Sequence, residues 1–325
     1  MASFAGSGPI LPPIWRTLTP SSSAVSAVGS NIPYIPPDAF NDLHVLDLLE
    51  LSGSQSQAGQ ALAMHQTTVC RSLRRLQDQF DLVGRPGRRS DHCRYGTNRS
   101  LWQLRLAYRE HRLMRGLLRL STDGLHQVLL AGLPMLQPVP PRFRSATTWA
   151  HLIQDGLLDG AIVSSYGHHR LPEGQQRPRW PGVRTLPLGT LALELVRSGG
   201  EERRVLLPQR AVALRLHGEL AARGWRTESQ PQACQEPASW LRRLHDRQLA
   251  MPVCPGLVGR GWLRLHGLRL LGEPPLVEQL WLLLPPGRQG HEQLARSLLH
   301  SIGQRLEQAG VAACQATAAD HRAEA

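Results

Sequence analysis

The chain contains no lysine: all 37 of its basic side chains are arginine. Arginine-favouring codon usage explains this and also the abundance of Ala, Gly, Pro and Leu, so the choice of arginine carries no functional message. Cysteine is sparse. Cys70, Cys93, Cys234, Cys254 and Cys314 are scattered without a CxxC pair, which excludes a zinc finger and a disulfide framework and fits a reduced, cytoplasmic setting. No run of 18 apolar residues exists, so no membrane helix is expected. The first 31 residues lack both an acid and the basic stretch that opens a secretory signal. Residues 1–37, rich in Ser, Pro and Gly, read as a disordered extension, and 311–325 as a flexible tail. There is no P-loop, no GxSxG and no GxGxxG after a strand. No cluster of acid, base and nucleophile converges, so neither an enzyme nor a cofactor is expected.

The 325 residues, 41% of them apolar, suffice for two or three domains. Net charge is +12, and its placement is uneven. Thirteen arginines lie between Arg71 and Arg119 against Asp78, Asp81, Asp91 and Glu110, a local surplus of nine. Codon usage would spread such charge, whereas a polyanion-binding segment concentrates it.

That basic region follows a regular apolar beat. Phe40, Leu43, Leu46 and Leu49 share one helical face, ended by Ser52-Gly53. Ser54 is placed to cap a second helix, Gln55 to about Leu62, and Ala63-Met64 reads as a tight turn. A third helix from about Gln66 to Phe80 carries a single apolar stripe, Val69, Leu73, Leu76 and Phe80. "DLVGRPGRRSDHCRYGTN" reads as a wing or loop, then Asn98–Leu120 as a long helix with apolar residues on two sides. Helix, helix, turn, helix, wing is the winged helix-turn-helix order. With the stripe inward, Gln66, Thr67, Thr68 and Arg71 are candidates to read base edges, and Arg74 and Arg75 to hold phosphate. Arg85, Arg88, Arg89 and Arg94 of the wing are candidates for the flanking backbone or minor groove. The bland alternative is a solvated arginine face on a core helix.

The stretch "LHVLDLLELSGSQSQAGQALAMHQTTVCRSLRRLQ" resembles the N-terminal region of the LysR-type transcriptional regulators. The match runs without a gap through Gly53-Ser54, Ala58-Gly59, Leu62, His65-Gln66-Thr67-Thr68-Val69-Cys70-Arg71, Leu73 and Leu76-Gln77. The resemblance implies that Gln66, Thr67, Thr68 and Arg71 face double-stranded DNA, and that helix 98–120 links and dimerises the chain as a homodimer or homotetramer. His65 and Cys70 stand where the family has serines. His65 is a weaker cap, Gly59 inside a helix costs about 1 kcal/mol against Ala, and "FDLVGRPGRR" replaces the family's motif after the third helix.

Beyond residue 122, "LHQVLLAGL", "GAIVSS", "TLPLGTLALELV", "RRVLLP" and "LWLLLP" read as strands. "TTWAHLIQDGLL", "LRLHGELAARG", "PASWLRRLHDRQL" and "EQLARSLLHSIGQRLEQAG" read as helices. Such alternation predicts an α/β region with a largely parallel sheet. The whole is thus expected to be multidomain: a winged helix-turn-helix (38–97), a linker helix (98–122) and an α/β domain (123–310). By the resemblance, the last is a two-lobed, periplasmic-binding-protein-like effector domain. Its first lobe would span about 123–189 and 262–310, and its second about 190–261. Residues 132–147, with four prolines, are too short for the family's helix and second strand, so the first lobe is expected to be trimmed. A small-molecule effector would sit between the lobes, with Ser145, Thr147, Thr148, Ser164 and Ser165 as candidate contacts; helix caps and loop hydroxyls are the simpler reading of each. His168-His169 lack further ligands for a metal. A second function class stays open, an effector-binding or interaction protein whose DNA contacts have decayed.

Overall fold

A computed structural model describes residues 35–83, 98–137, 139–140, 142–167, 180–230, 237–286 and 292–310. The expected extension up to residue 34, the wing and the tail from 311 lie outside these residues, as do Arg85, Arg88, Arg89, Arg94, His168 and His169.

Three helices open the described chain: α1 (Asn41–Ser52), α2 (Gln55–Leu62) and α3 (Gln66–Phe80). Gly53 ends α1 with φ +76°, its N–H donating to the Leu49 carbonyl at 2.8 Å. Ser54 caps α2 by accepting from the Gln57 N–H at 3.2 Å. Leu43, Leu46, Leu49, Ala58, Val69, Leu73 and Leu76 meet in one core, which Leu101 and Tyr108 of α4 (Arg99–Met114) close. Asn98 caps α4, accepting from Leu101 N–H at 2.8 Å.

Helix α1 is buried all the way from Leu43 to Ser52, more than a single apolar face requires. Leu48 and Leu51 belong to a second core with Trp149, Ala150 and Ile153 of α5 (Ala146–Gln154) and with Trp281. One helix is therefore shared between the helical module and the α/β region.

The long helix expected over 98–120 stops at Met114. Gly116 adopts φ +72°, and Leu120 is drawn into the sheet instead. Leu118 bridges Leu136, and β1 (Leu120–Ser121) pairs in parallel with β2 (Gly160–Ser164). The remaining strands are β3 (Arg184–Arg197), β4 (Arg204–Leu207), β5 (Arg226–Ser229), β6 (Ala250–Val253), β7 (Arg269–Leu270) and β8 (Leu276–Leu284). They join in the order β1-β2-β8-β3-β6-β4-β5, with β7 on β3. Helices α6 (Leu214–Ala222), α7 (Pro237–Asp246), α8 (Pro255–Leu265) and α9 (Glu292–Gln308) complete the region.

Two expectations need correction. The sheet is mixed rather than largely parallel: β2–β8, β3–β8, β3–β6 and β3–β7 are antiparallel. The 14-residue β3 carries the chain from one half of the sheet to the other, and β8 returns alongside it. The segment "LHQVLLAGL" is no strand. Asp123 accepts from the Leu125 N–H at 3.0 Å and turns the chain into a 3-10 turn, Gln127–Leu129. Between that turn and α5, the described residues form no helix, in keeping with a shortened first half.

Buried ions tie the parts together. Asp47 of α1 accepts from Arg105 Nε at 2.9 Å and from Arg119 Nη1 at 3.0 Å, all three side chains being fully buried. Asp159 accepts from Arg109 Nε at 2.6 Å, Arg112 Nη1 at 2.7 Å and the Arg119 backbone N–H at 2.7 Å. Arg119 further reaches Gln137 at 3.0 Å and the Tyr108 hydroxyl at 3.2 Å. The Tyr108 oxygen lies 2.8 Å from His44 Nδ1. Burial, reinforced by Arg119, pushes the His44 imidazole down to about 4.

Removing Asp47 leaves two arginines without their buried counter-charge. Asp47→Ala should cost about 3–5 kcal/mol, read from urea unfolding of the full chain. His44 gives a pH signature. In the unfolded chain it takes its proton near 6.5, in the fold only near 4, so the stability it lends at neutral pH is lost as pH falls through that window. The loss amounts to about 3 kcal/mol, and in His44→Gln the fall in stability between pH 6.5 and 4 should be correspondingly shallower.

Candidate nucleic-acid interface

The turn between α2 and α3 is unusually tight. Ala63 sits at φ +52°, and the Met64 N–H donates to the Gly59 carbonyl at 2.8 Å. A Cβ on Gly59 would lie 2.7 Å from the Met64 carbonyl oxygen. The glycine that looks costly inside α2 is what lets the turn fold back against it.

This turn aims α3. Its inner side, Val69, Ser72, Leu73 and Leu76, is buried, while Gln66, Thr67, Thr68, Arg71, Arg74 and Arg75 are all exposed. Gln66 Nε2 donates to Gln55 Oε1 at 3.2 Å, joining the starts of the two helices. His65 precedes α3 without a side-chain cap bond. Cys70 is a free, half-buried thiol on the flank. Arg71 and Arg74 form no ion pair with described residues. Arg75 does: its Nη1 lies 3.1 Å from Asp42 Oδ2. Exposed pairs of this kind are worth at most about 1 kcal/mol, so a phosphate can compete for that arginine.

Less of the basic stretch is exposed than its arginine content suggests. Arg105, Arg109, Arg112 and Arg119 are interior groups bound to Asp47 and Asp159. Four of the thirteen arginines in the basic stretch thus face no solvent, and the part of the surplus on the described surface is carried by Arg71, Arg74, Arg75, Arg99 and Arg115.

Helix α4 uses both of its sides within its own chain. Leu101 and Tyr108 enter the helical core, Arg109 and Arg112 hold Asp159, and Trp102 Nε1 donates to the Gln154 carbonyl at 3.5 Å. Part of its second side thus meets the α/β region, while Gln103, Ala107 and Met114 stay exposed.

The candidate effector contacts fall in two places. Ser145 caps α5, accepting from Thr148 N–H at 3.2 Å with the two hydroxyls 2.9 Å apart, and Thr147 is exposed beside them. Ser164 is buried at the end of β2, and Ser165 Oγ accepts from Gln279 N–H at 3.1 Å. No hydrogen bond among the described residues joins the two groups.

Between the halves of the sheet the structure places other residues. His126 is fully buried, with Nε2 2.5 Å from Glu278 Oε1 of β8 and Nδ1 2.8 Å from Asp123 Oδ1. Burial pushes its imidazole down, but the two carboxylates outweigh that and hold it well above the ordinary range. Phe143, just before α5, packs on Trp240 of α7. Asp123 lies three residues from His126, but Glu278 and Trp240 are far along the chain from their partners, so the local sequence does not mark these arrangements.

No family model and no curated protein matches the chain. Among solved structures it is similar to ArgP from Mycobacterium tuberculosis, at 14% identity over 83% of this chain and 98% of that one, TM-score 0.42. It is also similar to Vibrio fischeri DarR, solved in complex with DNA, at 13% identity over 82% and 99%, TM-score 0.41. A full-length OxyR variant from Pseudomonas aeruginosa stands at 11% identity over 81% and 96%, TM-score 0.40. Overlaps of this size say nothing of what this chain binds.

Ala63 carries a side chain in the left-handed region, which strains an L-residue. Ala63→Gly should raise stability by about 0.5–1 kcal/mol, measured as a higher urea midpoint with an unchanged slope.

Proposed function

We propose that this chain is a DNA-binding transcriptional regulator, a divergent member of the LysR type. The observation that carries the reading is the division of α3 into two faces. One face is locked into the core by Val69, Leu73 and Leu76, and the other presents Gln66, Thr67, Thr68, Arg71 and Arg74 to solvent. An amide, two hydroxyls and a guanidinium at the helix N-terminus are the groups that pair with adenine and guanine edges in a major groove. The gapless family pattern from Gly53 to Gln77 falls on the same elements.

In this reading residues 38–97 bind DNA, 98–122 link, and 123–310 respond to a small effector. The protein is a cytoplasmic homodimer that occupies a pseudo-palindromic site, one α3 per half-site. Arg71 reads a base, and Arg74 and Arg75 hold phosphates together with Arg85, Arg88 and Arg89. No catalytic group is assigned.

The test is a mobility-shift series over genomic fragments at several salt concentrations. On the preferred fragment, Arg71→Ala should weaken binding by about 1–3 kcal/mol and relax specificity. Arg74→Ala should weaken all fragments alike and lower the salt slope by about one. A steep salt slope with no preferred fragment in the wild type would favour the second class, a protein whose sequence reading has decayed. The uncapped start of α3 at His65 is the observation on that side.

A further inference from the structure

Arg142, Phe143 and Arg144 reach two distant parts of the molecule at once. Phe143 is buried in a cluster with Leu206 of β4, Trp240 of α7 and Leu249, flanked by Leu125 and Val212. Its ring centroid lies 5.2 Å from that of Trp240. These partners belong to the half of the sheet beyond β3, whereas Phe143 leads into α5, which packs on β2 in the other half. The ring thus fills the seam between the halves.

The two neighbouring arginines reach α1. Arg142 Nη1 donates to the Ser52 carbonyl at 3.0 Å. Arg144 Nη2 donates to the carbonyls of Glu50 and Leu51 at 2.8 and 2.7 Å. These are last-turn carbonyls, which lack partners within the helix and attract cations. The Arg142 guanidinium lies so close over Gly53 that a Cβ there would be 1.1 Å from Nη1. Arg144 also stacks over Trp149 at 5.1 Å, which fixes it to α5. Successive side chains on opposite sides are what a locally extended chain provides.

We propose that Arg142-Phe143-Arg144 is a coupling element between the seam of the α/β region and the DNA-binding module. While the halves are closed, Phe143 holds the segment in place and both guanidiniums satisfy the end of α1. If the halves part, Phe143 loses its slot, the segment shifts, and the Glu50, Leu51 and Ser52 carbonyls lose donors in a dry environment. The change arrives at Ser52–Ser54, the turn that caps α2 and so sets the angle of α3. The coupling itself does not require DNA. Only its consequence for regulation rests on the function proposed above.

Hydrogen–deuterium exchange on the full chain tests this without DNA, so its failure and the failure of DNA binding are separate results. Trp240 contacts Phe143 in the far half. Trp240→Ala should speed exchange of the amides from Gly53 to Ala58 roughly five- to thirtyfold, and Trp240→Phe should do so less. Coupling is reciprocal, so Arg144→Gln, at the other end, should speed exchange between Trp240 and Leu249. Circular dichroism reports whether each variant stays folded. If Trp240→Ala unfolds, the Trp240→Phe and Arg144→Gln results decide. Wild-type exchange at the remote end in the folded variants would overturn the proposal.

Discussion

A carboxylate cut off from water, Asp47, stands where three parts of the chain meet, and most of the architecture follows from how its charge is answered. Arg105 comes from α4 and Arg119 from the residue before β1. A buried carboxylate without donors would cost several kcal/mol. Its presence on α1 therefore obliges α4 and the first strand to close over that helix. Asp159 repeats the device one step further on, with Arg109 and Arg112 of α4. The two aspartates fix the helical module, the connecting helix and the sheet in one arrangement.

Local order was legible in the sequence because it is written in short-range chemistry. The stripe Val69-Leu73-Leu76, the Ser54 and Asn98 caps and the turn at Ala63 lie where period and side-chain type put them. Long-range pairings were not legible. Arg119 and Asp47 are 72 residues apart, and His126 and Glu278 are 152 apart; no spacing rule links them. The end of α4 was missed for the same reason. Leu118 and Leu120 suit a helix as well as a strand, and only their partners, Leu136 and Gly160 of β2, decide between them.

For the candidate site the lesson is similar. The face of α3 could be read, since the core side is apolar and the other side is polar. The charge surplus around it is larger in the sequence than on the surface. An arginine bound to a buried aspartate counts the same in a sequence as one awaiting a phosphate. Among the candidate effector hydroxyls, Ser145 caps helix α5 and Ser165 accepts from strand β8, while an aromatic pair and an ion triad lie at the seam.

Helix α1 lies in two cores at once, with Leu46 and Leu49 on one side and Leu48 and Leu51 on the other. A chain built this way cannot be divided at its connecting helix into fragments that each fold alone. Either piece would expose a row of leucines and, in one of them, a carboxylate stripped of its cations. Thermal melting should then register one event rather than two, and loosening of the core around Trp149 and Trp281 becomes loosening of the helix against which α3 packs.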